Sequence, residues 1–313
     1  GSKTVAVGKN TLQSQNFTTA TDSNNVAVGY DAGQAVTTGV KNVLIGGLAG
    51  DALTDADFNV AVGYAALGAD TLGSRSTALG YLALSAQNFT TATDAYNTAV
   101  GMFAGGLVTT GTANTLIGGL SGDAITTGAF NTGVGTGSLG ALTTGSNNVA
   151  IGEVALDAST EAGDNVAVGV SALGADVLGS RSVAVGRAAL TSQNFTTATE
   201  TYNVAVGYNA GGAVTTGTEN TLIGGISGDA LTTGIRNVAV GSAALTGDTK
   251  GQNNVAVGYG TLAAQNFTTV VSSYNVAVGA ASGLSITTGV QNTLVGGLAG
   301  DALTDADYNT GLG

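Results

Sequence analysis

The sequence predicts an all-β fold, a parallel β-solenoid of about eighteen coils of 17 or 21 residues each. Three observations predict it. The pentamer Asn-Val-Ala-Val-Gly, or a near copy, returns along the whole chain. Its Val-Ala-Val centre alternates with the period of two that a β-strand requires. The 313 residues include 52 glycines and no proline, so the chain has many corners and no stretch suited to a long helix.

The repeat accounts for every interval between its anchors. With the closing glycine of the pentamer as anchor, eighteen anchors run from Gly8 to Gly313, at thirteen intervals of 17 and four of 21. Residues 3–313 therefore read as one continuous repeat domain. Gly1 and Ser2 read as a cloning scar, and a chain that stops on an anchor reads as a piece of something longer. Coil positions are counted below from the pentamer Asn as position 1, so the anchor glycine is position 5.

The pentamer is the strand, expected to pair with its equivalent one coil on at about 4.8 Å. Positions 2 and 4 (Val26 and Val28, Val149 and Ile151) are expected to face inward, and position 3 outward. The anchor glycine closes the strand at a tight corner. Position 1 is Asn in fifteen of eighteen cases, which suits a stacked amide ladder because each amide both donates and accepts. Thr-Thr-Gly returns seven times, as at Thr37–Gly39, and reads as a second β-prone segment closed by a turn.

Two volume trades outline the core. Position 9 is only Gly or Leu. All eight coils with Gly there carry an aliphatic residue at position 12, such as Val36 or Leu53. Where position 9 is Leu in a 17-residue coil, position 12 is polar in four of five: Asp70, Ser159, Asp176 and Asp248. One Leu-sized space per coil is filled from one side or the other, as in a close-packed interior. The second trade puts Leu44, Leu116, Leu222 and Leu294 at position 3, each followed three residues later by a glycine: Gly47, Gly119, Gly225 and Gly297. On the expected outward face, these four leucines predict a subunit interface.

Composition removes whole classes of function. At 43% hydrophobic the chain is too apolar for disorder. Without Cys there is no disulfide and no thiolate metal site, and without His the commonest general base is missing. A net charge of −12 with only 8 basic residues argues against nucleic acid. No apolar run reaches the length of a membrane-spanning helix. The expectation is a protein that is not an enzyme, with no cofactor, no metal, no nucleic-acid partner and no insertion into a membrane.

The stretch Asn25–Gly33, "NVAVGYDAG", and the pentamer Asn148–Gly152 resemble the head repeat of YadA-type trimeric autotransporter adhesins, with consensus Asn-Ser-Val-Ala-Ile-Gly. Similar repeats occur in bacteriophage tail fibres. The resemblance covers residues 4–313. It implies a left-handed β-roll assembled as a homotrimer that attaches to a host cell-surface glycan or protein receptor. It also implies an extracellular place, on a bacterial surface or a virion. The coils here are longer than is usual in that family, and the consensus serine is missing.

The four long coils share an insertion that starts at Gln15, Gln87, Gln193 and Gln265. Four extra residues must bulge from the coil, and bulges on a rigid scaffold commonly carry binding. The candidate ligand contacts are Asn16, Phe17, Asn88, Phe89, Tyr96, Asn194, Phe195, Tyr202, Asn266, Phe267 and Tyr274. Rings beside Thr and Gln suit a glycan, through stacking and hydrogen bonds. The competing reading has the phenylalanines folding back onto the coil or locking subunits, and near-identical sequence favours that self-packing.

Other features have plainer readings. Asn-Phe-Thr at 16, 88, 194 and 266 matches the N-glycosylation sequon and is read as accidental. "GGLAGDAL" resembles a calcium nonapeptide but comes once per several coils, so Asp51, Asp123, Asp229 and Asp301 are read as turn residues. A Thr rank at position 13 raises ice binding, which needs two outward ranks; ladder packing is the simpler account. Tyr30, Tyr64, Tyr81, Tyr208 and Tyr259 at position 6 suit either a ligand or a partner subunit. A monomeric solenoid, and a fibre that cleaves polysaccharide with paired carboxylates, remain the alternative functions.

Overall fold

The computed structural model describes residues 2–313. They form two compact units, one within Gly1–Glu161 and one within Ala162–Gly313. Both are all-β, and no helix occurs among the described residues. Each unit contains nine three-residue strands, from Val5–Val7 to Val149–Ile151 in the first and from Val166–Val168 to Thr310–Leu312 in the second. Each of these strands is the centre of one pentamer, giving eighteen coils of parallel β-solenoid. Pairing is parallel and in repeat register: Val26, Ala27 and Val28 face Val43, Leu44 and Ile45, and Val204 faces Thr221.

The corners are set by backbone that residues with a Cβ adopt only at a cost. Anchor Gly29 has φ +139°, and a Cβ there would lie 2.6 Å from the carbonyl carbon of Gly46, the next anchor. The anchors form a column in which only glycine fits. Three further positions per coil are left-handed without being restricted to glycine: the residue before the pentamer (Lys41, φ 59°), position 7 (Leu48, φ 58°) and position 9 (Leu67, φ 54°).

The strand faces are the reverse of the expectation. Position 3 is buried, as at Ala27, Ala61 and Ala205, while positions 2 and 4 lie outside. Ile45 is 38% exposed and Leu79 45%. The interior of a 17-residue coil is narrow, and the side opposite the sheet already fills it with Val36, Leu53, Leu67 or Leu156. Small residues must face these from the sheet, so the bulky pair points away.

The predicted interface leucines are corrected for the same reason. Leu44, Leu116 and Leu222 are fully buried and Leu294 nearly so, inside their own coils. Each lies between two position-9 glycines on adjacent coils. A Cβ on Gly33 would come within 2.6 Å of Leu44 Cδ1, and one on Gly50 within 2.7 Å of Leu44 Cδ2. Gly105 and Gly122 flank Leu116, Gly211 and Gly228 flank Leu222, and Gly283 and Gly300 flank Leu294. The Leu-sized space is real, but in these coils it is filled from the neighbouring strand as well as from position 12.

The Thr-Thr-Gly segment is bent rather than a strand. The amides of Thr37 and Gly39 and the hydroxyl of Thr37 all donate to the Thr54 carbonyl, at 2.8, 3.3 and 3.1 Å. Three donors converging on one acceptor curve the chain too sharply for a ladder. Two-residue strands appear on this side only beside long coils: Gly73–Ser74 with Thr93–Asp94, Gly179–Ser180 with Thr199–Glu200, and Gly251–Gln252 with Val271–Ser272.

The Asn column is a buried ladder. Asn25 Oδ1 accepts the backbone N–H of Asn42 at 2.9 Å, and Asn25 Nδ2 donates to the Gly39 carbonyl at 2.8 Å. Further along, Asn131 Nδ2 also donates to Asn114 Oδ1 at 3.2 Å. One amide thus ties two coils together and satisfies a buried carbonyl, which is why Asn is favoured where an apolar residue would leave polar groups unpaired.

Candidate functional site

The long coils divide the predicted ligand residues into two groups. Phe89, Phe195 and Phe267 are only 5, 7 and 5% exposed, so their rings pack onto the coil and offer no face to a ligand. Phe17 is half-buried. Asn16, Asn88, Asn194 and Asn266 are exposed at the turn, and Tyr96, Tyr202 and Tyr274 are exposed at a different corner, immediately before the pentamer.

The phenylalanine turn is held by a polar knot absent from the sequence-based expectation. Asp70 is fully buried. Its Oδ1 accepts the amides of Gly73 and Phe89 at 3.1 and 3.0 Å, and its Oδ2 accepts Gln87 Nε2 at 2.6 Å. Gln87 Oε1 in turn accepts Asn97 Nδ2 at 2.8 Å, joining the knot to the Asn ladder. The same arrangement recurs with Asp176, Gln193 and Asn203, and with Asp248, Gln265 and Asn275. Burial pushes the Asp176 carboxyl above its usual range, against hydrogen bonds from Gln193 and the amides of Phe195 and Gly179. The sequence carried the signal: in three copies, Asp stands 17 residues ahead of the long-coil Gln. These carboxylates are sealed in the core and cannot meet a polymer chain.

The corner before the pentamer gathers exposed rings and cations. Lys41 Nζ and Arg75 Cζ lie 4.7 and 4.8 Å from the centre of the Phe58 ring, and Arg75 pairs with Asp94 at 2.9 Å. In the second unit Arg181 pairs with Glu200 at 2.6 Å and donates to Tyr202 Oη at 2.7 Å, while Tyr202 donates to Glu200 at 2.6 Å. Arg236 pairs with Glu219 at 2.9 Å. Five of the eight basic residues occupy this one coil position: Lys3, Lys41, Arg75, Arg181 and Arg236.

The border on the other side of the strand is position 6. Tyr30, Tyr64, Tyr81, Tyr208 and Tyr259 are all exposed there, and Tyr64 stacks on Tyr81 with ring centres 5.8 Å apart. Between the two borders lies the outward face of the sheet, lined by Val26, Val28, Val43, Ile45 and their equivalents. The turn aspartates are partly buried in both units, and Asp229 accepts a hydrogen bond from Thr246 at 2.5 Å. The position-13 hydroxyls are taken up along the coils, as where Thr126 donates to the Thr143 carbonyl at 3.2 Å. Compared with known proteins, the chain matches no protein-family model and no curated protein sequence.

Proposed function

We propose that the chain is a segment of an adhesive fibre, YadA-like in its repeats, that works as a homotrimer. In this reading it sits outside the cell, on a bacterial surface or virion, and attaches to a host glycan or protein receptor without catalysing a reaction. The observation that carries the reading is the outward Val and Ile pair. Each coil has a complete interior without them, yet position 4 is aliphatic in every coil and position 2 is Val or Thr. A contiguous apolar surface of that kind suits burial against another molecule. Three copies arranged about one axis would each turn this face inward, in a closed ring that leaves none of it wet. The two polar and aromatic borders then stay near the surface, where repeated weak contacts add up to avidity. Solution mass under native conditions tests this: three chain masses are expected, and a single chain mass would remove the trimer.

A second reading draws on the same face. Positions 2 and 4 supply the two outward ranks that ice binding needs, and position 2 is Thr in four successive coils, at Thr77, Thr98, Thr115 and Thr132. Position 4 stays aliphatic throughout, which favours an apolar partner. Thermal hysteresis in a solution of the chain would favour the ice-binding reading.

A further inference from the structure

Each leucine at a pentamer centre comes with three glycines, and the chain itself explains only two. For Leu44 these are Gly33, Gly50 and Gly47. Gly33 and Gly50 make room for the leucine methyls. Gly47 makes room for nothing in its own chain. An added Cβ would come no closer than 3.6 Å to any atom, in this case the Tyr64 ring, and its backbone is not left-handed. Gly119 and Gly225 have no atom within 4 Å of an added Cβ, and at Gly297 the nearest is 3.9 Å away. The same coil position carries tyrosine at 30, 64, 81, 208 and 259, so the backbone there accepts a large side chain. Glycine is conformationally costly. Nothing within the chain requires it at these four places, so the requirement comes from outside.

The coil that opens on each of these glycines ends on a large planar side chain. Phe58, Phe130, Arg236 and Tyr308 stand immediately before the next pentamer. All four are exposed, Phe130 at 64% and Tyr308 at 72%. The glycine lies just after a strand and the planar residue just before one, so they occupy opposite borders of the outward sheet face. Within the first unit the glycines at 47 and 119 are 72 residues apart, as are Phe58 and Phe130. Within the second, Gly225 and Gly297 keep the same interval, as do Arg236 and Tyr308. An unrelated partner would have to present protruding groups at that interval and on the same coil repeat. A second copy of this chain does so by construction. In a cyclic assembly with the sheets turned to the axis, the border after the strand on one copy meets the border before the strand on the next.

We propose that Gly47, Gly119, Gly225 and Gly297 are sockets between copies of this chain, filled by the planar side chains at 58, 130, 236 and 308 of the adjacent copy. The fit of side chain to socket sets the axial register of the copies. This rests on the homo-oligomer reading above.

The test replaces the sockets with the residue their neighbours already carry. Gly47→Tyr, Gly119→Tyr and Gly225→Tyr should keep the circular dichroism of the parent chain, because each added side chain projects into open space. Sedimentation should show the concentration for half-dissociation raised roughly tenfold or more, the scale of an overpacked contact. Gly47→Ala should give a smaller shift in the same direction, and Phe58→Ala with Phe130→Ala should weaken association from the other side. If the parent chain is trimeric and the tyrosine variants associate equally well, the sockets are overturned and the trimer stands. A monomeric parent overturns both.

Discussion

The two sides of each coil use apolar residues in opposite ways. On the bent side, the aliphatic residue of position 12 points inward and the hydroxyl of position 13 runs along to the next coil. On the sheet side, alanine points inward and the valine pair points out. One side turns its aliphatic residue into the core, the other leaves aliphatic residues outside it. The difference teaches that a thin coil takes a large group from the sheet only where glycine at position 9 makes room, and that elsewhere the sheet side turns alanine inward and its bulkier pair outward.

The largest expected effect comes from emptying one of the four places where a leucine of the sheet fills the core. Leu116→Ala leaves a hole lined by Gly105 and Gly122, which have no side chains to move into it. A loss of about 3–5 kcal/mol of unfolding free energy is expected by denaturant titration. A loss under about 1 kcal/mol would mean the glycines are not there to make room.

Next comes the knot under the long coil. Asp176→Ala strips Gln193 and the amides of Phe195 and Gly179 of their acceptor, for an expected loss of about 2–4 kcal/mol. The pH dependence has a definite sign. The folded state holds the Asp176 proton more tightly than the unfolded chain does, because burial raises that carboxyl. Its contribution therefore falls as pH rises through the carboxyl range and levels off above it. Compared with Asp176→Asn, the parent chain should gain stability as pH is lowered from about 6 to about 3. A difference independent of pH would remove this account.

Removing one rung of the ladder, as in Asn131→Ala, should cost about 1–3 kcal/mol, since the Asn148 amide and the Gly145 carbonyl lose partners buried in the core. At the small end, Val149→Thr on the outward face should change the stability of the isolated chain by less than about 0.5 kcal/mol, because position 2 already accepts Thr in other coils. Any loss should appear in association instead, and sedimentation across a concentration series separates the two.

Much of this was legible from residues alone. The coil length, the parallel register, the stacked Asn and the Leu-sized space all follow from the spacing of the pentamer and from what replaces what. The facing of the strand did not follow, because a period of two fits either face inward. The deciding signal was volume. Position 3 is only Ala, Leu or Gly, and every Leu there falls between two position-9 glycines, a trade that requires a shared interior. Asp70 was recognisable as the polar alternative to an aliphatic residue, but its partner Gln87 lies a whole coil away and meets it only once the chain has wound round. The cation and aromatic corner was hidden for another reason: it occupies a left-handed position that has no fixed residue type and so leaves no motif.

The most direct test of the central claim uses the absence of cysteine from the chain. A single Val168→Cys places a thiol on the outward face, and Ala167→Cys places one in the coil interior. With a short bifunctional maleimide, the account predicts covalently linked copies for the cysteine at 168 and unlinked chains for the cysteine at 167. Linked copies at 167, or none at 168 in a chain that still shows parallel β structure, would contradict it.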